Sequence, residues 1–174
     1  MDAFINGFLR ESNAIENVWD DESLKQAWKA WRYLAKQKEL TTENLLKTHA
    51  ILMIGKLDYD EIGAWRKAPV WIGGREATPW YAVPDLMNQW IKHVNSCGKV
   101  AKQDKNNADE LVRQDHVWFE FIHPFIDGNG RVGRMIMNWQ RLKAGLSLLI
   151  LFEKEKQEYY KWFERKESNE RKRS

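Results

Sequence analysis

The sequence predicts a mainly α fold, a helical bundle carrying one short β-hairpin flap. Three observations predict it. Apolar residues recur at spacings of three and four through most of the chain, the period of a one-sided helix. Hydroxyl and carboxylate side chains stand where such stripes begin, and glycine stands where they stop. Only the stretch from Ile62 to Pro84 breaks the period, gathering Pro and Gly around the β-branched and aromatic run Val70-Trp71-Ile72. No internal repeat or long linker interrupts the pattern, and 174 residues suit one core, so residues 1–174 read as a single domain.

Taken in order, Ser12 opens a short helical segment, SNAIEN, within residues 10–20. Asp20 or Asp21 caps a longer helix in which Leu24, Ala27, Trp28, Trp31, Leu34 and Ala35 form one stripe. Thr41 or Thr42 opens a third, with Leu45, Leu46, His49 and Leu52 inward and Gly55 as its stop. His49 on that apolar side reads as a hydrogen-bonded core histidine ahead of a ligand. The flap region spans 62–80. Pro84 suits the first turn of the next helix, PDLMNQWIKHV, where its missing donor costs nothing. After a polar spacer, ADELVRQDHVWFEFI turns Leu111, Val112, Val117, Trp118, Phe121 and Ile122 inward and ends at His123-Pro124. A helix restarts near Gly128, and KEKQEYYKWFERKES supplies a last one.

Composition narrows the function classes. A net charge of +3, with both signs interspersed, describes an ordinary soluble surface and argues against a nucleic-acid-binding field. The basic cluster at 168–174 reads as a frayed terminus. The first residues lack a signal-peptide pattern, and no apolar run approaches the roughly 20 residues that span a bilayer. A lone Cys97 excludes an internal disulfide framework and agrees with a reducing cytoplasm. Most of the ten Trp recur at helical spacing and are assigned to the core or to an interface, the latter leaving room for a homo-oligomer.

The densest chemistry lies in HPFIDGNGRVGR, His123 to Arg134. Gly128-Asn129-Gly130 at a helix start leaves amide donors unpaired and lets a ligand approach the main chain, which makes a phosphate-sized anion nest. Arg131 and Arg134 stand three apart near the positive end of that helix, and two clustered cations call for an anion. Asp127 beside such a nest is repelled unless a hard divalent cation such as Mg²⁺ intervenes. His123 is the group in the loop suited to taking a proton near neutral pH. Other readings fail. An EF-hand loop needs an oxygen ligand where Arg131 stands and an acidic residue where Asn138 stands, a di-iron centre needs a second pair beside Glu120-x-x-His123, and no P-loop motif is present.

These residues resemble the H-P-F-x-[DE]-G-N-G-R-x-x-R signature of Fic-domain proteins, with every fixed position present. Gly63-x-Trp65-Arg66 and Val70-x-Ile72 resemble that family's flap, and the likeness extends over roughly residues 10 to 145. The resemblance implies a Fic-type helical bundle that transfers AMP from ATP to a Tyr, Thr or Ser hydroxyl of a target protein. It implies His123 as general base and Asp127 as the Mg²⁺ ligand. It implies Gly128, Asn129 (amide and side chain) and Gly130 as the phosphate cradle, with Arg131 and Arg134 on the β- and γ-phosphates. Val70, Trp71, Ile72 and Gly73 would pair with the target's main chain as an added strand.

Ser12, Glu16 and Asn17 fit the same family's inhibitory pattern, [ST]-x-x-x-E-[GN], in which the glutamate occupies the second arginine of the signature, here Arg134. Two alternatives stand beside AMP transfer: hydrolytic removal of AMP from a modified target, with Glu16 aligning a water, and a catalytically silent nucleotide-binding or interaction module.

Overall fold

The apolar stripes meet in one core that contains Leu9, Trp31, Leu45, Trp90 and Phe119. The computed structural model describes residues 2–103 and 105–164, and the basic segment 168–174 lies outside them. Helix α1 spans Asp2–Ile15. It starts well before the expected Ser12, because Ile5, Phe8, Leu9 and Ser12 already follow the three-four spacing and are buried.

Helix α2 (Asp21–Leu34) begins where Asp20 accepts the Ser23 amide at 2.8 Å. Its stripe is buried at Ala27, Trp31 and Leu34, whereas Ala35 lies just past the helix and is exposed. Helix α3 (Thr42–Met53) opens on a reciprocal capping box between Thr41 and Asn44, and Gly55 follows its end at φ 73°.

Helix α4 (Val83–Gln103) carries Pro84 in its first turn and buries Met87, Trp90, Ile91 and Val94. It continues through most of the polar stretch expected to be a spacer, and α5 (Lys105–Ile122) follows directly. On α5, Val112, Phe119 and Ile122 are buried, but Phe121, expected inward, is exposed. Of the long helix expected near the C-terminus, the described residues form a short α7 (Lys156–Tyr160) flanked by 3-10 turns, and residues 165–168 lie outside them.

Helix α6 (Asn129–Lys143) is central: α1, α2, α3, α4 and α5 all contact it. It is therefore buried without a break from Arg131 to Arg141. Its polar residues survive there because each meets a neighbouring segment. Asn138 exchanges two hydrogen bonds with the Leu149 backbone, at 2.8 and 3.0 Å, and Gln140 donates to Asp115 at 2.6 Å.

Strands β1 (Trp71–Ile72) and β2 (Arg75–Glu76) form an antiparallel hairpin with Trp71 opposite Glu76 and Ile72 opposite Arg75. Gly73 and Gly74 make the turn with φ of 55° and 78°, the positive pair that a two-residue hairpin turn requires.

Side chains of α5 press against α6 at Gly133, where a Cβ would lie 2.5 Å from Glu120 Oε1 and 2.9 Å from His116 Cε1. Gly133→Ala is expected to destabilise the fold by about 1–3 kcal/mol through overpacking, despite alanine's better helix propensity. Urea denaturation against the parent measures it.

Candidate active site

The end of α5 fixes the first group. His123 donates its amide to Phe119 O at 2.9 Å and then takes φ 50°, left-handed backbone that a non-glycine residue adopts at a cost. Pro124 helps to force the chain out of the helix there. Arg66, buried at the base of the flap, holds the turn in place. Its Nε donates to His123 O at 2.7 Å, its amide to Pro124 O at 2.9 Å, and its remaining guanidinium nitrogens to Ala68 O and Thr78 O. One cation thereby ties the flap to the histidine turn. The sequence named Arg66 only as part of a flap pattern, because a fan of main-chain acceptors leaves no spacing signal.

The loop's shape comes from Asn129. Its side chain accepts the Phe125 amide and donates to the Phe125 carbonyl, both at 2.9 Å. That amide is committed to the loop itself, a different employment from the anion contact expected of it. Gly128 precedes α6 at φ 81°, and its amide reaches Asp127 Oδ1 at 2.6 Å. Asp127 is exposed, with Oδ2 3.4 Å from Arg131. Arg131 itself is buried beside Met53, its Nε without a hydrogen-bond partner among the described residues, and burial pulls its pKa down. A buried guanidinium with an unused donor is suited to an incoming anion.

Arg134 is the most enclosed cation, 2 % exposed. Its Nε donates to Ser12 Oγ at 2.9 Å, and one terminal nitrogen donates to Ser12 O at 2.8 Å and to Glu16 Oε1 at 2.7 Å. The other terminal nitrogen reaches Tyr159 Oη at 3.3 Å. Burial opposes the charge, but Tyr159, Glu16 and Glu120 outweigh it and hold the pKa above its ordinary value.

The spacing of Ser12 and Glu16 follows from helix geometry. Four residues apart they share one face, so hydroxyl, carbonyl and carboxylate surround one guanidinium. Asn17 explains itself in the same way: at φ 57° it ends α1 in a Schellman motif, with Asn17 N donating to Ala14 O at 2.9 Å and Val18 N to Asn13 O at 3.0 Å. Only glycine and asparagine adopt that conformation readily. The motif fixes Glu16 over Gly130, where a Cβ would overlap the Glu16 carboxylate and the Arg134 guanidinium.

Desolvation shapes the titrating groups. Burial lowers His123 to a pKa of about 4, so it is neutral with a free lone pair at neutral pH. Burial raises Glu120 to about 8, which keeps that carboxyl protonated near neutrality. Their nearest atoms, His123 Nδ1 and Glu120 Oε2, are 3.7 Å apart, and Nδ1 is buried, which leaves Nε2 to the cleft. His116, lowered to about 3 by burial and then by Arg134, meets Tyr159 Oη at 2.8 Å. Since Arg134 only donates, Tyr159 accepts from it and keeps its O–H for His116. His49 accepts the Gly63 amide on Nδ1 at 2.9 Å, contacts Asp127 O through Nε2 at 3.1 Å, and stacks on Phe125 at 3.8 Å. It is a core histidine that positions the loop.

One cleft of about 860 Å³ brings His123, Gly130, Arg134 and Glu16 together. The flap contributes Ile72 and Gly73, α5 adds Glu120 and Phe121, and the C-terminal segment adds Tyr159 and Tyr160. Phe121 is exposed because it lines this cleft. Val70 and Trp71 stand on the same hairpin outside its lining, and Asp127 and Arg131 lie on the neighbouring side of the loop. Tyr159 and Glu120 were missed as site residues: one sits in a segment without a motif, and the other was weighed only as a metal ligand.

A central helix opened by a glycine nest, a histidine turn beneath a hairpin and a cleft between them define the Fic-type helical fold. The Fic/DOC family model matches residues 39–140, and the chain belongs to that family. It is similar to protein adenylyltransferase Fic of Drosophila ananassae, 30% identical over 127 residues, or 73% of this chain and 24% of that protein. The counterpart from Drosophila erecta is 31% identical over 73% of this chain and 25% of its own length. The chain thus spans about a quarter of the curated relatives it matches. A Fic domain containing signaling protein from Bacteroides thetaiotaomicron superposes with TM-score 0.75 at 20% identity, covering 92% of this chain and 71% of that one. Fic-1 (residues 134–508) from C. elegans gives 0.74 at 20%, covering 92% and 55%. At these identities the solved structures show the fold alone.

Two predictions follow from this geometry. Asn17→Gly is expected to leave stability within a few tenths of a kcal/mol, whereas Asn17→Val should cost about 1–2 kcal/mol, measured by thermal or chemical denaturation. The second concerns His49, lowered to about 4 by burial, while the unfolded chain protonates near 6.5. The stability that neutral His49 confers is complete above about 6.5 and is lost as pH falls toward 4, about 3 kcal/mol in all. His49→Gln should flatten the dependence of unfolding free energy on pH between those values.

Proposed function

We propose that this chain is a protein adenylyltransferase, transferring AMP from ATP to a hydroxyl side chain of a target protein and releasing pyrophosphate. The observation that carries the reading is the convergence of His123, Gly130 and Arg134 on one cleft beneath the flap of a Fic/DOC chain. The curated relatives are named for that activity. In the step itself, neutral His123 takes the hydroxyl proton as the oxygen bonds to the α-phosphorus, and the bond to the β-phosphate oxygen breaks. The Asn129 and Gly130 amides bind phosphate oxygens, the Gly128 amide joins them as it exchanges Asp127 Oδ1 for the anion, and Arg131 and Arg134 neutralise the outer phosphates. The Asn129 side chain keeps the loop in shape.

Mg²⁺ fits this donor set. Asp127 is an exposed carboxylate beside the nest, and Mg²⁺ is commonly held by one carboxylate together with substrate phosphates and water. The ion would supply charge neutralisation to the triphosphate. Ile72 and Gly73 face the cleft and leave the outer edge of a two-stranded hairpin for a target segment, which main-chain pairing can hold with little demand on sequence. A target protein and ATP are therefore the partners proposed; a cytoplasmic setting and a homo-oligomer remain the sequence's expectations. No helix among the described residues is long and apolar enough to cross a membrane.

Glu16 restrains this activity in the proposal. Its carboxylate takes the guanidinium that an outer phosphate would use and stands over the Gly130 end of the nest. Glu16→Gly is expected to raise automodification by ATP and Mg²⁺ at least about tenfold, and His123→Ala in that background to lower it by about 10²–10⁴. Intact-mass measurement reads both as AMP-sized adducts. Equal labelling of Glu16→Gly and parent removes the restraint, and a phosphate-sized adduct reverses the nucleotide's orientation.

One observation favours a second reading, removal of AMP by hydrolysis. Glu16 lines the same cleft as His123, where its carboxylate can face a water. Faster release of AMP from a labelled target by the parent than by Glu16→Gly supports that reading. Nucleotide binding without transfer or release in either protein supports a silent module instead.

A further inference from the structure

Outside the lining of the cleft, three side chains of different chemistry converge between α4 and α5. His93 and Cys97 stand four apart on α4, and Asp115 faces them from α5. His93 Nε2 lies 3.1 Å from Asp115 Oδ1 and 3.2 Å from Cys97 Sγ, and all three atoms fall within 4.8 Å of one another.

The difficulty is that both contacts fall on the same nitrogen. A neutral imidazole Nε2 offers either one proton or one lone pair. As a donor it serves Asp115 and leaves sulfur, a weak acceptor, as a minor second partner. As an acceptor it serves the thiol and meets the carboxylate lone pairs. A cation at the centre satisfies all three atoms together. Bond lengths of roughly 2.0–2.3 Å to a tetrahedral zinc set its ligands roughly 3.3–3.5 Å apart, so the two separations from His93, 3.1 and 3.2 Å, need only widen slightly, and Cys97 and Asp115 lie within 4.8 Å of each other.

The surroundings are those of a supported ligand set. Asp115 is 1% exposed, its other oxygen accepts Gln140 Nε2 at 2.6 Å, and its carbonyl accepts Trp90 Nε1 at 2.9 Å. The carboxylate is therefore aimed before any ion arrives. His93 is 47% exposed, which gives an ion a path from solvent.

We propose that His93, Cys97 and Asp115 bind a borderline-soft divalent cation of the zinc class, clipping α4 to α5. Imidazole, thiolate and carboxylate together select Zn²⁺ or Co²⁺ over Mg²⁺, so the site is separate in chemistry as well as place from Asp127. Binding releases the thiol proton and ties an i, i+4 pair to the neighbouring helix.

Metal-free protein titrated with Co²⁺ and with Zn²⁺ tests this. Cys97 is the only cysteine in the chain, so a thiolate-to-cobalt charge-transfer band can come from no other residue. The expected result is that band at one Co²⁺ per chain, reversed by Zn²⁺. Cys97→Ser should lose the band, and His93→Gln, at an exposed position, should stay folded and bind about 10–100-fold more weakly. Asp127→Asn and His123→Ala should titrate like the parent. Absence of the band, equal Zn²⁺ affinity in His93→Gln, or half an ion per chain from bridging two molecules would each overturn the assignment.

Discussion

The structure depends on the burial of one charge, the Arg134 guanidinium. Withdrawing a cation from water costs several kcal/mol unless its donors are matched. Here they are matched by two residues of the first helix, Ser12 and Glu16, and by Tyr159 of the C-terminal segment. Elements far apart in the sequence therefore meet around a residue of α6, and the charge is as much a packing constraint as an apolar contact. Of its partners only Glu16 is substantially solvent-exposed, at 36%. Exchange with an incoming anion is easiest there, since a phosphate oxygen can replace one carboxylate oxygen while Ser12 and Tyr159 keep their bonds.

Desolvation links the remaining polar groups around the cleft. It keeps His123 and His116 neutral and Glu120 protonated by one mechanism, the cost of charge in a poorly hydrated site. In the proposed step a neutral His123 offers a free lone pair at the cost of basicity, and a neighbour able to turn anionic would offset that loss. Glu120, 3.7 Å away, stands close enough to contribute, since a protonated His123 would make its carboxyl easier to ionise. His116 and Tyr159 sit behind them as neutral hydrogen-bonding groups and carry no like charge toward Arg134.

Most of the helical frame was legible in the sequence. Asp20, Thr41 and Pro84 sit at or next to the helix starts where their chemistry places them, and the stripe on α2 faces the core, fully at Ala27, Trp31 and Leu34 and partly at Leu24 and Trp28, while Ala35 lies past the helix end. The signature loop was legible because local chemistry sets its shape: glycine at positive φ, asparagine bridging to Phe125, proline after His123. What escaped was non-local. Arg66 gathers carbonyls from three segments, Tyr159 meets Arg134 across the fold, and Phe121 faces outward because a cleft lies beside it. The start of α1 was overlooked for another reason. Ser12 looks like an N-cap, but its hydroxyl accepts from Arg134, a partner that no local window contains.

Asn17 shows how a short sequence pattern can encode tertiary geometry. A glutamate on a helix surface is ordinarily mobile, and an exposed ion pair is worth only about 0–1 kcal/mol. Ending α1 in a left-handed residue immediately after Glu16 stops the helix there, so the carboxylate is delivered from a fixed C-terminal turn. Its partner is equally fixed, because Arg134 has a Ser12 hydroxyl, a Ser12 carbonyl and a Tyr159 hydroxyl on its other donors. The pair therefore loses little side-chain freedom on forming, and the guanidinium it meets is desolvated on every side but one. A contact that would be negligible between free surface side chains is strengthened there, as the proposed competition for the site needs, yet one edge stays open to solvent. That balance is what a displaceable restraint requires: full burial of Glu16 would lock the nest, and full exposure would leave it unguarded.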